Sequence, residues 1–246
     1  MENSNWVISA QNLLLLIGIL LWFVPLRSKA DFQFKLPVVE YYWLVGYLLL
    51  GAVGLWVEAM GWWDGLGFML LPCIVFILVC VILPSEHLTP WKIRNVSLGE
   101  IYRNSFVSFL SHWPVLLLVY WASSLVFPDA QPQESVELLK KGDLEMRSKI
   151  AFFAVIVAPL TEEVFFRGIL YRTLKGLLNA RLAMLVTSFA FAAVHLNLLA
   201  FFPLFALSFF LILVYERTGH LAVPILYHAA FNILMLTFII FGKPEI

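Results

Sequence analysis

Residues Leu160 to Leu170 read LTEEVFFRGIL, two adjacent carboxylates and a guanidinium set in an apolar run. The stretch allows two readings. In one it starts a helix, with Thr161 as N-cap and the acids complementing the N-terminal dipole. In the other the helix begins earlier and passes through the acids. Spanning length favours the second, because Ile150 to Leu160 supplies only about 16 Å of helix, roughly half the hydrocarbon core of a bilayer. The helix is therefore expected to run from Ile150 to Tyr171, kinked at Pro159. That places three charged side chains inside the membrane.

The rest of the chain supports a bilayer setting. Of its 246 residues, 62% are hydrophobic and 13% charged, too apolar a balance for a soluble domain. Net charge is zero and the basic residues are scattered, which argues against a nucleic-acid partner. Cys73 and Cys80 lie in one apolar run, too far apart along a helix axis to bridge, and read as small core or lipid-facing residues. The first apolar run follows Glu2 rather than basic residues and precedes Arg27 and Lys29. It reads as an anchor rather than a cleaved leader.

About eight segments approach spanning length: Trp6 to Leu26, Val38 to Met60, Leu66 to Leu83, Ser105 to Phe127, Ile150 to Tyr171, Arg181 to Leu196, Phe201 to Tyr215 and Leu221 to Phe241. The expected fold is all-α, a polytopic membrane helix bundle forming one integral membrane domain over residues 1–246. Basic residues follow the first helix (Arg27, Lys29, Lys35), the third (Lys92, Arg94, Arg103) and the fifth (Arg172, Lys175, Arg181). Those connections are expected on the cytoplasmic side, with both termini outside. The connection Pro128 to Lys149 departs from the pattern, with Lys140, Lys141, Arg147 and Lys149 partly balanced by acids. Within it, Ser135 to Met146 reads equally as a short surface helix or a solvated loop.

Charge inside lipid calls for partners, since each such side chain costs about 2.5–3.5 kcal/mol at a helix centre. Glu163 and Arg167 stand four apart in the acid-first order that favours an ion pair. Glu162 points elsewhere around the helix and is left unmatched. Two other apolar segments carry polar side chains at helical spacing that such an acid would need: FAAVH, Phe191 to His195, and HAAFN, His228 to Asn232. His112 also lies in an apolar run but has no acid or amide at helical spacing, and is assigned to packing.

Taken in order on separate helices, Glu162-Glu163-x-x-x-Arg167, Phe191-x-x-x-His195 and His228-x-x-x-Asn232 resemble the CPBP family, which includes the type II CAAX prenyl endopeptidases and the Abi proteins. The resemblance covers residues 150–241, the expected catalytic core. It implies an intramembrane metalloprotease that hydrolyses a peptide bond in a membrane-associated protein or peptide, with CAAX processing as one form. Glu162 would activate water and His195 would position it. His228 and Asn232 would stabilise the oxyanion, while Glu163, Arg167 and Phe191 support the site. Zinc held by Glu162, His195 and His228 is one alternative, and a metal-free water activated by glutamate is the other, because the chain lacks H-E-x-x-H. A multi-pass plasma-membrane protein is expected.

Two readings from other classes stand beside this one. Intramembrane acids and histidines also build proton-coupled carriers, although no inverted repeat is visible. A non-catalytic scaffold or immunity protein would keep the same motif for folding. With straight helices, moreover, His195 and His228 fall at different depths.

Overall fold

Short polar residues set the helix starts. Asp143, Asn179 and Asn197 each accept a backbone N–H of the following turn with a side-chain oxygen, and Ser97 forms a reciprocal capping box with Glu100, supplying acceptors that the first turn otherwise lacks. The computed structural model describes residues 13–14, 41–60, 67–82, 96–131 and 133–241. Most of the expected first segment, Trp6 to Leu26, lies outside the described residues, as do Arg27, Lys29, Lys35, Lys92 and Arg94.

Helices account for the described secondary structure, with no strand among the described residues. They are α1 (Tyr41–Ala59), α2 (Gly67–Ile82), α3 (Leu98–Val126), α4 (Glu134–Lys141), α5 (144–177), α6 (Ala180–Ala193), α7 (Leu198–Thr218) and α8 (Ala222–Phe241). By length and composition α3, α7 and α8 qualify as membrane spans, while Tyr41–Trp56 and Ala180–Ala193 are shorter apolar helices. Among the described residues, three helices therefore qualify as spans, fewer than the about eight expected. Several boundaries differ from expectation: the fifth segment runs 144–177 rather than Ile150 to Tyr171, and the seventh Leu198–Thr218 rather than Phe201 to Tyr215. α3 starts at Leu98 rather than Ser105 because the Ser97 capping box nucleates it there. α6 stops at Ala193 rather than Leu196, so His195 sits in the turn beyond it.

α5 passes through the LTEEVFFRGIL stretch without a break. It comprises Leu144–Phe152, a π-helical stretch Phe153–Val157, Ala158–Glu163, a second π-helical stretch Val164–Tyr171, and Arg172–Leu177. Backbone angles at every junction are right-handed helical. The expected irregularity at Pro159 takes the form of the first π stretch, in which Ala158 N–H bonds to the Phe153 carbonyl. That register directs the Ala154 carbonyl toward residue 159, and proline has no N–H to offer it.

Two apolar clusters hold the bundle, and α7 belongs to both. Ile212 and Tyr215 pack with Tyr47, Phe76, Val164, Ile169 and Met184. Leu207, Leu211 and Val214 pack with Phe109, Trp113, Leu116, Val223 and Tyr227. A helix apolar on all sides belongs in the centre of a bundle. Outward from this core, α1 and α3 expose Leu49, Trp56, Leu118 and Trp121, a surface suited to lipid.

Candidate active site

α5 brings Glu162 and Glu163 to the bundle interior, and α8 brings His228 to meet them. Glu163 and Arg167 form the expected pair, with Nη1 donating to Oε1 at 2.7 Å and both side chains fully buried. The same Glu163 oxygen accepts from His228 Nδ1 at 2.9 Å. A carboxylate only accepts, so His228 carries a proton on Nδ1 and turns Nε2 toward Glu162, whose Oε2 lies 3.9 Å away. That distance is too long for a direct hydrogen bond. Glu162 Oε2 is buried and has no hydrogen-bond partner.

α6 supplies the third wall. The Phe191 ring lies 4.6 Å from the Arg167 guanidinium carbon in cation–π contact. It also touches both imidazoles, with ring centroids 5.0 Å from His195 and 5.8 Å from His228. This arrangement closes the depth separation expected of straight helices. α6 ends two residues before His195, and the imidazole folds back so that Nδ1 donates to the Phe191 carbonyl at 2.7 Å. A carbonyl only accepts, so His195 is also protonated on Nδ1 and keeps Nε2 as an acceptor. Glu162 lies within electrostatic reach of both histidines.

Asn232 meets α5 in a way its sequence spacing did not reveal. Its Nδ2 donates to the Ala154 carbonyl at 2.7 Å, the acceptor stranded by the first π stretch and Pro159. One amide hydrogen is thereby committed to holding α8 against α5, and the second remains for other use. Tyr227, which the sequence reading passed over, is fully buried and places its hydroxyl 3.2 Å from His112 Nδ1. His112 itself stacks on Phe210 with ring centroids 4.1 Å apart, in keeping with its packing role. No helical spacing links His112 to Tyr227, so that pairing had no signal in the sequence.

A zinc ion would have to be held by Glu162, His195 and His228. Both imidazoles engage Nδ1 with an oxygen acceptor, as zinc-bound histidines do. Among the described residues, however, no group of three His, Cys, Asp or Glu side chains stands close enough together to hold a metal ion. As arranged, the residues do not fit a zinc centre, and no step below is routed through one. Two carboxylates against one guanidinium leave the site formally negative while the imidazoles are neutral.

Comparison with known proteins points to one group. Residues 147–234 match a family model described as Rce1-like, type II CAAX prenyl endopeptidase Rce1-like. The chain is 29% identical to UPF0177 protein YaiH of Lactococcus lactis subsp. lactis (strain IL1403), across 81% of this chain and 85% of that one. It is 24% identical to a protein of Bacillus subtilis (strain 168) named "Putative membrane peptidase YdiL", across 77% and 74% of the two chains. No solved structure matches.

Proposed function

We propose, from the similarity of residues 147–234 to the Rce1-like family model and of the chain to the two relatives, that this is a CPBP-family protein that hydrolyses a peptide bond in a membrane-associated protein or peptide, using water activated by Glu162. The observation that carries the proposal is the gap between Glu162 Oε2, buried and without a partner, and His228 Nε2, 3.9 Å away. Two polar atoms facing each other at that separation suit a bridging water.

The chemistry follows from what each atom can accept or donate. Glu162 Oε2 and His228 Nε2 both accept across that gap, and His195 Nε2 is a further acceptor on the same wall, so a water donating one hydrogen to Glu162 and the other to an imidazole nitrogen is held with a lone pair free for attack. Glu162 takes the first proton as the oxygen–carbon bond forms at the scissile carbonyl. The resulting oxyanion needs donors, and the second Asn232 amide hydrogen is one. His228 is another only as an imidazolium, because its Nδ1 hydrogen is committed to Glu163. One such donor is worth about 3–4 kcal/mol of barrier. Glu162 then returns its proton to the leaving nitrogen, the carbon–nitrogen bond breaks, and the products are a new carboxylic acid and a new amine, which ionise to carboxylate and ammonium as the remaining water proton passes from acid to amine.

Purified protein in lipid nanodiscs, incubated with membranes from a host lacking it, should generate new peptide termini detectable by mass spectrometry. Glu162→Gln should abolish them without changing the melting transition. Absence of new termini with the unaltered protein, or their persistence in Glu162→Gln, overturns the proposal. Stripping divalent metal should leave the rate unchanged, whereas a loss restored by zinc would recast His195 and His228 as ligands. The matched family description makes a prenylated C-terminal peptide the first defined substrate to try.

A further inference from the structure

His195 lies in the turn between α6 and α7, and an unusual backbone follows it. Leu196 adopts a left-handed conformation with φ 49°, which a leucine rarely adopts without external restraint. Its own side chain supplies none, being 93% exposed. The restraint comes from the neighbours. On the α6 side, the His195 and Leu196 N–H groups bond to the Ala192 and Ala193 carbonyls, and the imidazole reaches back to Phe191. On the α7 side stands Asn197.

We propose that Asn197 is a positioning residue for His195, acting through two opposed contacts of one carboxamide. Its Oδ1 accepts the Ala200 N–H at 2.9 Å and caps α7. Its Nδ2 donates at 2.9 Å to the Gln131 carbonyl, in the segment that follows α3. Ser123 of α3 donates to the Leu199 carbonyl at 2.7 Å, and Phe127 stacks on Phe202 with centroids 6.2 Å apart. The end of α3 and the segment after it are thus fastened to the chain on the far side of His195. The left-handed Leu196 lies between this fastening and the imidazole. Release of the Gln131 contact lets the turn relax toward commoner angles and moves Nε2 away from Glu162.

The inference rests on the role proposed above for His195 as the group that positions water, and two substitutions separate it from helix capping. Asn197→Asp keeps an oxygen for Ala200 N–H but sets an acceptor against the Gln131 carbonyl. Asn197→Ala loses both contacts. In Asn197→Asp the melting transition should hold while the rate of forming new termini falls about tenfold, the scale expected for a small misplacement of a reacting group. In a His195→Asn background the same substitution should cost nothing further.

A readout independent of activity is the ¹⁵N-histidine NMR spectrum in nanodiscs. The His195 resonances, identified by their loss in His195→Asn, should shift in Asn197→Asp, and those of His228 should not. Unchanged His195 resonances overturn the inference even if cleavage by Glu162 stands. Shifted resonances in a protein that forms no termini support the positioning contact while refuting the proposed reaction.

Discussion

Glu163 joins two helices through one oxygen. Its Oε1 accepts from Arg167 on the same helix and from His228 on another, so neutralising the guanidinium and fixing the imidazole tautomer are one act. The Arg167 contact was legible in the sequence because acid and base stand four apart on a helix. The His228 contact was not, since nothing local relates residues so distant along the chain. Arg167→Met removes the counter-charge of a fully buried carboxylate, which should cost about 3–5 kcal/mol. Equilibrium unfolding in detergent would measure it. The pair Glu163→Gln with Arg167→Met should be milder than Arg167→Met alone, because no unpaired charge then remains; equal or greater loss would show that the ion pair is not the source of the penalty.

Among the elements, α5 and α8 show how an interruption in one helix is used by another. Pro159 announced an irregularity in the sequence, but not its π form or the carbonyl it strands for Asn232. α8 begins at a similarly specific contact, where Ala222 N–H donates to His220 Nδ1 at 3.2 Å, an acceptor only while the imidazole is neutral there. Burial holds His220 below the usual histidine range, so its contribution to stability is complete above about pH 6.5 and is lost as pH falls through the lower folded value. Melting temperature should therefore drop on acidification from about pH 7.5 to 5 by more in the unaltered protein than in His220→Asn. Equal drops would assign the acid sensitivity elsewhere.

For the whole molecule, α7 at the centre places the turn after α6 at one end of the bundle and the α5–α6 connection at the other. The basic residues Arg172, Lys175 and Arg181 beside the latter favour the cytoplasmic side. A single cysteine at position 196, in a background lacking Cys73 and Cys80, should react with an impermeant maleimide on intact cells. One at position 178 should react only after permeabilisation. The reverse pattern would invert the expected orientation. It would leave the site geometry untouched, because the contacts among Glu163, Arg167 and His228 do not depend on which way the bundle faces.

Composition and periodicity by themselves determined that the chain is helical and membrane-embedded, and spanning length determined that a helix must carry Glu162 and Glu163 through the interior. Helical spacing also separated the matched acid from the unmatched one. These are properties of a single helix in lipid, which local sequence controls. Tertiary structure decided the rest: that His228 shares Glu163 with Arg167, that Phe191 brings two imidazoles to one wall, and that Asn232 answers a carbonyl stranded on α5. Each depends on how helices are rotated and where they end, which packing between distant segments sets and local spacing cannot encode.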